Sequence, residues 1–167
     1  MIQTNPHRIL AMVPGTRGIA FAVFDDDTLV DWGLKSVKGD KEKVSIHKVK
    51  ELLSLYNPAA LVLEDTLAKD CRRSFRVRGL IAETATLART SGTRVTFISR
   101  ARVKNTLVPG GAETKHEIAQ FLAARFPQEL GDQLPPKRKP WETENYWMAV
   151  FEAVGLAFGF ATQKEDA

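Results

Sequence analysis

Two apolar segments constrain this fold most: one enters a Pro-Gly turn and the other ends at a glutamate. Residues 8–18 form an apolar run that enters a Pro-Gly turn at residues 14–16, and residues 60–63 form a second run that ends at Glu64. Short apolar runs bounded by turn residues are typical of buried strands. Because Gly tolerates dihedrals that crowd other residues, such a turn brings backbone N–H groups and a hydroxyl close to a ligand. The pattern predicts a site to which Glu64 can bring a carboxylate and Val13 cannot.

The order of the remaining segments predicts an α/β protein. Strands are expected at residues 9–12, 19–24, 28–37, 60–63 and 93–98, helices at 42–56, 74–90, 100–106, 113–125 and 142–160, and a loop at 127–141. This order is that of an RNase H-like fold, a five-stranded mixed sheet with three antiparallel and two parallel strands and with helices on both faces. Right-handed crossovers place the first and fourth strands side by side, and a ligand crevice forms at their C-terminal ends.

Length and composition bound the class of protein. With 167 residues, 44% of them hydrophobic, we expect residues 1–167 to form a single domain. No apolar run reaches 18 residues and the N-terminus is polar, which predicts a cytoplasmic protein without a membrane partner. Cys71 is the sole cysteine, so an internal disulfide or a multi-cysteine zinc site is excluded.

The distribution of positive charge favours a polyanionic partner. The net charge is +4 and the isoelectric point is near 9.3. Arg72, Arg73, Arg76 and Arg78 fall within seven positions, and residues 137–139 form a second basic cluster. Such clusters either bind nucleic acid or form ordinary solvated surfaces.

A longer pattern resembles the RuvC-type Holliday junction resolvases over about residues 8–160. In residues 99–121, a Val-Lys pair at Lys104 opens a short helix, a Gly-rich loop follows, and Lys115 begins the next helix. Residues 13–17 resemble the family's Asp-Pro-Gly-Thr/Ser-Arg motif, and Glu64 resembles its strand-end glutamate.

The resemblance implies a site of four acidic residues around two divalent cations, Mg²⁺ or Mn²⁺. Two metals suit phosphodiester hydrolysis because one generates the nucleophile and the other stabilises the leaving oxygen. Glu64 matches one acid, and Glu144 or Glu142 matches a second, near the start of the last helix. Val13 and Trp147 stand where the other two acids are expected. We therefore expect Val13 and Glu64 side by side, faced by Glu142 or Glu144, in a site that has lost half of its ligands.

Other carboxylates are not expected to compensate. Asp65 follows Glu64 and points to the opposite face unless the strand has ended, so a loop cap is its simpler role. Glu152 lies off the apolar stripe of the last helix and is predicted to face solvent. Residues 25–27 belong to a hairpin expected at the far end of the sheet.

The same resemblance implies a set of DNA contacts. Lys104 and Lys115 match positions that contact phosphate, and Lys115 is the better candidate for stabilising charge on the scissile phosphate. Phe75 either stacks on an unpaired base or is the first core residue of its helix. The predicted nucleic-acid-binding residues are Thr16, Arg17, Arg72, Arg73, Phe75, Arg76, Arg78, Lys104 and Lys115.

Three functions follow from these features. The first is a homodimeric protein that binds branched DNA and whose nuclease activity is impaired. The second is an active Mg²⁺-dependent junction endonuclease with a rearranged carboxylate set of Glu64, Glu142 and Glu144, in which Glu64, Glu144 and Lys115 are catalytic. The third is a nucleotide-dependent kinase of the same superfamily, for whose two-domain cleft the chain is too short.

Overall fold

The computed structural model describes residues 5–165 and contains one five-stranded mixed sheet. Its strands are β1 (Asn5–Pro14), β2 (Gly18–Asp25), β3 (Thr28–Ser36), β4 (Pro58–Glu64) and β5 (Arg94–Ile98). The spatial order is β3-β2-β1-β4-β5. The first three strands pair antiparallel, whereas β4 runs parallel to both β1 and β5. The predicted RNase H-like sheet is confirmed, including the adjacency of its first and fourth strands.

Helices cover both faces of the sheet, and four of them begin at a side chain that caps the first turn. They are α1 (Lys41–Tyr56), α2 (Phe75–Thr90), α3 (Arg100–Thr106), α4 (Lys115–Arg125), α5 (Pro127–Leu130) and α6 (Trp147–Glu165). Asp40, Ser74, Ser99 and Thr114 each accept a hydrogen bond from a backbone N–H of the first helical turn. In residues 5–165, no helix has the length and apolar character needed to span a bilayer.

The alternation of side chains along the central strands divides the core into two layers. Leu10 and Met12 of β1 pack beneath α1 and α2, whereas Ala11 and Val13 pack beneath α4 and α6. In β4, residues 61 and 63 share the first layer. The next residue, Glu64, therefore points to the α6 side of the sheet, as Val13 does.

Two predictions near the C-terminus are wrong: both bounds of the last helix, which spans Trp147–Glu165, and the assignment of residues 127–141 to a loop alone. The last helix begins at Trp147 rather than at residue 142, because the Asn145 side chain accepts the Trp147 N–H and the chain becomes helical only beyond it. The predicted loop at 127–141 contains α5 and a 3₁₀ turn (Gly131–Gln133). Pro127 stands at the first helical position, where its missing N–H costs nothing, and Leu130 is fully buried.

Candidate acidic centre and nucleic-acid interface

Val13 and Glu64 end neighbouring parallel strands and line the same small cavity. Their strands pair at Ala11 and Val62, two residues before each of them. Both side chains are buried, with 5% of Val13 and 4% of Glu64 exposed. The structure thus brings together the two positions that the sequence placed side by side, one with a carboxylate and one with an isopropyl group.

The Glu64 carboxylate forms an ion pair with the side chain of Arg73. Arg73 donates from Nε and Nη2 to Glu64 Oε1, at 3.1 and 3.0 Å. The same Nη2 also donates to Oε2 of Glu152 at 2.6 Å. Arg73 therefore bridges a carboxylate on the sheet and a carboxylate on α6.

Glu152 is not the solvent-exposed residue that the sequence predicted. Only 16% of its side chain is exposed, and its second oxygen, Oε1, lies 2.6 Å from Nζ of Lys115 at the start of α4. The prediction failed because α6 is covered on nearly all sides, so that a position off its apolar stripe still faces the sheet. We call Glu64, Arg73, Lys115 and Glu152 the charge cluster; its formal charges cancel.

The pKa shifts of Glu152 and Arg73 reflect these pairings. Burial alone would raise the pKa of Glu152, but the charges of Arg73 and Lys115 outweigh burial and hold the pKa of this carboxyl below its usual range. Burial lowers the pKa of Arg73, whereas Glu152 and Glu64 raise it by more, so the pKa of this guanidinium lies above its usual value. Both groups are charged near neutral pH.

The residues at this centre do not fit a Mg²⁺ or Mn²⁺ ion. These ions need several oxygen ligands, and Val13 supplies none while the nitrogens of Arg73 lie against both buried carboxylates. Within residues 5–165, no group of three or more His, Cys, Asp or Glu side chains is arranged to hold a metal ion. Oε2 of Glu64 is buried and has no hydrogen-bond partner among the described residues.

The two acids predicted from the start of the last helix lie in the segment before it. Glu142 is exposed, and its backbone N–H donates to Lys139. Glu144 is partly exposed, and its Oε2 lies 3.6 Å from Nζ of Lys115, at the edge of the charge cluster. The acid that reaches Glu64, through Arg73, is Glu152 instead. Trp147 opens α6 with its ring 5.7 Å from that of Tyr146.

Arg73 belongs to residues 65–74, the segment between β4 and α2. Hydrogen bonds hold this fastened segment in place at several points. The Arg78 guanidinium donates to the carbonyls of Thr66, Cys71 and Arg73. Asp70 accepts the backbone N–H of Ala101, which ties the segment to α3. The predicted capping role of Asp65 is confirmed, since its carboxylate accepts the N–H of a residue in the same segment.

Two large apolar side chains project from this fastened segment and the helix that follows it. Leu67 and Phe75 are each 93% exposed. The alternative that Phe75 is the first core residue of α2 is therefore wrong. An exposed aromatic side chain beside arginines is available for contact with a base.

A basic groove lies beside the charge cluster. Its cationic rim comes from separate parts of the chain, and the groove is lined by Arg72, Arg100, Lys115, His116, Lys137 and Arg138. Arg100 is not among the residues predicted from the sequence, because the local pattern marks its segment only as a short helix. The signal that could have revealed it is its place at the start of α3, next to a motif already assigned to phosphate contact.

The other predicted DNA contacts are distributed around this groove. Thr16 and Arg17 line an adjoining cleft with Arg72, while Lys104 lines the small cavity beside Val13. Arg76 is half-buried, and its Nη2 has no hydrogen-bond partner among the described residues. Arg72, Arg73 and Lys115 all line this groove. Arg73, Arg78 and Lys115 also make contacts within the protein through their charged groups.

The fold of this chain is that of the RuvC-type Holliday junction resolvases. Thermus thermophilus RuvC superposes with a TM-score of 0.68 at 17% sequence identity, over 95% of this chain and 96% of that one. The yeast mitochondrial Holliday junction resolvase superposes with a TM-score of 0.66 at 10% identity, over 99% and 81%.

A third solved structure extends the likeness to a viral protein. The fowlpox virus Holliday junction resolvase matches with a TM-score of 0.56 at 16% identity, over 93% of this chain and 99% of that chain. No protein-family model matches the chain, and no curated protein sequence matches it either. The likeness is therefore one of fold.

Proposed function

We propose that this protein binds branched DNA through the basic groove and that its acidic centre does not support efficient metal-dependent cleavage. The observation that carries the proposal is Arg73, whose guanidinium lies between Glu64 and Glu152 where a nuclease of this fold needs a divalent cation. The protein would act as a one-domain, cytoplasmic homodimer, since a four-way junction offers two equivalent faces to a two-fold partner.

The basic groove supports the DNA-binding half of the proposal. Arg72, Lys137 and Arg138 are exposed, and the groove that they line carries more cations than carboxylates. Lys and Arg side chains in such grooves bind phosphates and release counterions. Solved relatives of this fold include T. thermophilus RuvC in complex with a Holliday junction substrate and fowlpox virus resolvase in complex with Holliday junction DNA.

The charge cluster supports the second half. Hydrolysis by two metals needs carboxylates that bind the ions and position the attacking water. Here Arg73 and Lys115 already neutralise Glu64 and Glu152, and Val13 has no oxygen to add. A divalent cation would have to displace a guanidinium that makes hydrogen bonds to both buried acids.

The active-nuclease alternative assigns metal binding to the carboxylates around Glu64. Glu144 is partly exposed and lies within reach of Lys115, so it is the acid most able to move toward a metal. In that case Glu64, Glu142 and Glu144 would hold Mg²⁺ and Lys115 would contact the scissile phosphate. This alternative requires Arg73 to leave Glu64.

One experiment separates the two functions. The full chain is incubated with a labelled four-way junction and with a linear duplex of the same sequence, and the affinity is measured over a salt series without and with Mg²⁺ or Mn²⁺. We expect preferential binding of the junction, a steep salt dependence, no requirement for metal, and little or no cleavage.

A matched variant makes the cleavage result interpretable. Glu64→Gln should leave the background cleavage of the preparation unchanged if the chain is not a nuclease. Robust symmetric cleavage by the unmodified protein that Glu64→Gln abolishes would establish the active-nuclease alternative. Equal affinity for the junction and the duplex would contradict the branched-DNA half.

A further inference from the structure

Trp141 is a large aromatic side chain that is exposed to solvent. It is 79% exposed, although burying an indole is one of the most favourable contributions that a side chain can make to a fold. Nζ of Lys139 lies 5.6 Å from the centre of the indole ring, in the range of a cation–π interaction. The ring is thus partnered by a cation while most of its surface remains free.

The backbone presents this ring on a defined turn. The N–H of Glu142 donates to the carbonyl of Lys139 at 3.0 Å, which closes a four-residue turn over residues 139–142. Pro140 occupies the second position of this turn, where its fixed φ is favourable, and Trp141 the third. The Arg138 guanidinium also donates to the Glu142 carbonyl at 3.2 Å and ties the turn from the outside.

The turn stands at the rim of the basic groove. Lys137 and Arg138, which lead into the turn, and Glu142, which ends it, all line that groove. Trp141 lies in the turn between Arg138 and Glu142, so a DNA strand whose phosphates follow the groove would pass near this turn.

We propose that Trp141 is a stacking platform for an unpaired base of the DNA strand that lies in the basic groove. This inference rests on the proposed branched-DNA binding and names the feature of the DNA that the groove recognises. An indole stacks on any base because every base offers a π face, whereas the flanking cations bind the adjoining phosphates. The site would select strands with an unpaired nucleotide near a branch point and would be indifferent to base identity.

Charge favours a nucleic acid over a protein as the occupant. Residues 137–139 are all cationic, and Arg72 and Arg100 also line the groove. A second copy of this chain would bring the same positive charges into contact with these. A strand of phosphates with exposed bases complements both the charge and the aromatic ring.

The test compares Trp141→Ala with Trp141→Phe in the full chain on two DNA substrates. One substrate is a junction with a single unpaired nucleotide at the branch point, and the other is the fully paired duplex of the same length. Leu55→Ala is the matched control, because Leu55 is also exposed, at 66%, but lies on α1, on the other side of the sheet. Affinities are measured by fluorescence anisotropy.

We expect Trp141→Ala to weaken binding of the unpaired-nucleotide substrate by about 10-fold or more, as removal of a base-stacking aromatic does. Binding of the duplex should change much less, and Trp141→Phe should recover most of the loss. Tryptophan fluorescence should be quenched by the unpaired substrate in the unmodified protein and not in Trp141→Phe, although Trp32 and Trp147 remain.

The outcomes distinguish this inference from the proposed function. If the unmodified protein binds junctions with the expected salt dependence but Trp141→Ala binds them equally well, the stacking platform is wrong and the proposed function stands. An equal loss on both substrates, or a change of oligomeric state measured by light scattering, would also overturn it and indicate a general or a protein contact. If no branched DNA is bound at all, both fail.

Discussion

The charge cluster and the basic groove are neighbours built from the same residue types, and they differ in where their charges find partners. In the charge cluster, Arg73 and Lys115 pair with Glu64 and Glu152. In the groove, Arg72 is exposed to solvent beside further cations. The two adjacent arginines therefore have different roles: Arg73 pairs with carboxylates inside the protein, and Arg72 presents its charge to solvent. Removing a cation that pairs with buried carboxylates leaves those carboxylates without a counter-charge, whereas an exposed cation can attract a polyanion.

The largest effect expected from this contrast is on stability. Arg73→Ala should lower the free energy of unfolding by about 3–5 kcal/mol, because it leaves two buried carboxylates without their shared partner. The neighbouring Arg72→Ala is the matched control and should change stability by no more than about 0.5 kcal/mol. Urea unfolding of both variants measures the difference. Equal stabilities would mean that Arg73 is not a structural cation.

The next effect concerns metal binding. Replacing Val13 with Asp and Arg73 with Gln together should add an oxygen ligand and remove the resident cation, so that Mn²⁺ stabilises the double variant by about 2–3 kcal/mol at a hundredfold excess over its Kd. Either single change should give a smaller shift. Adding Trp147→Asp supplies a further acid at the start of α6. An equal Mn²⁺-dependent shift in the unmodified protein would show that Arg73 does not exclude metal.

A smaller effect is expected on DNA binding. Arg72→Ala should reduce the slope of log K against log salt by about 0.9, the contribution of one phosphate contact. Arg73→Lys, which keeps the positive charge of the charge cluster, should leave that slope unchanged. A reduction of the slope by Arg73→Lys, with none by Arg72→Ala, would reverse the roles assigned to the two arginines.

The smallest effect is on the pH dependence of stability. Because Arg73 and Lys115 lower the pKa of Glu152 in the folded protein, the stabilisation is complete above the usual carboxyl pKa and is lost as the pH falls through and below it. Unfolding free energies from about pH 6 to about pH 3 should therefore fall more steeply for the unmodified protein than for Glu152→Gln. Parallel curves would mean that Glu152 contributes nothing through its charge.

Much of the fold could be predicted from local patterns. The apolar runs and turn residues are local signals that predict the order of the strands and helices along the chain and place Glu64 at the end of β4. The rule that crossovers are right-handed then predicts the adjacency of β1 and β4. The beginning of α6 was misplaced because Asn145 and Tyr146 order the chain just before the helix through hydrogen bonds that no periodicity reveals.

The partners in the charge cluster could not be predicted from the same patterns. Arg73 and Glu152 are 79 positions apart, and each looks like a surface residue in its own segment. One signal was present: Glu152 interrupts the apolar run of residues 148–158. A carboxylate in so apolar a helix is either exposed to solvent or paired with a buried cation. Only the packing of α6 against the sheet decides between these two environments.

The fastening of residues 65–74 has a kinetic consequence. Because Arg78 and Asp70 already hold this segment through hydrogen bonds to backbone groups, its conformational entropy is lost when the chain folds and not when a ligand arrives. Leu67 and Phe75 are thus presented by a preorganised surface. Encounter with DNA would then require no ordering step at this segment, and its rate would depend on diffusion and electrostatic steering.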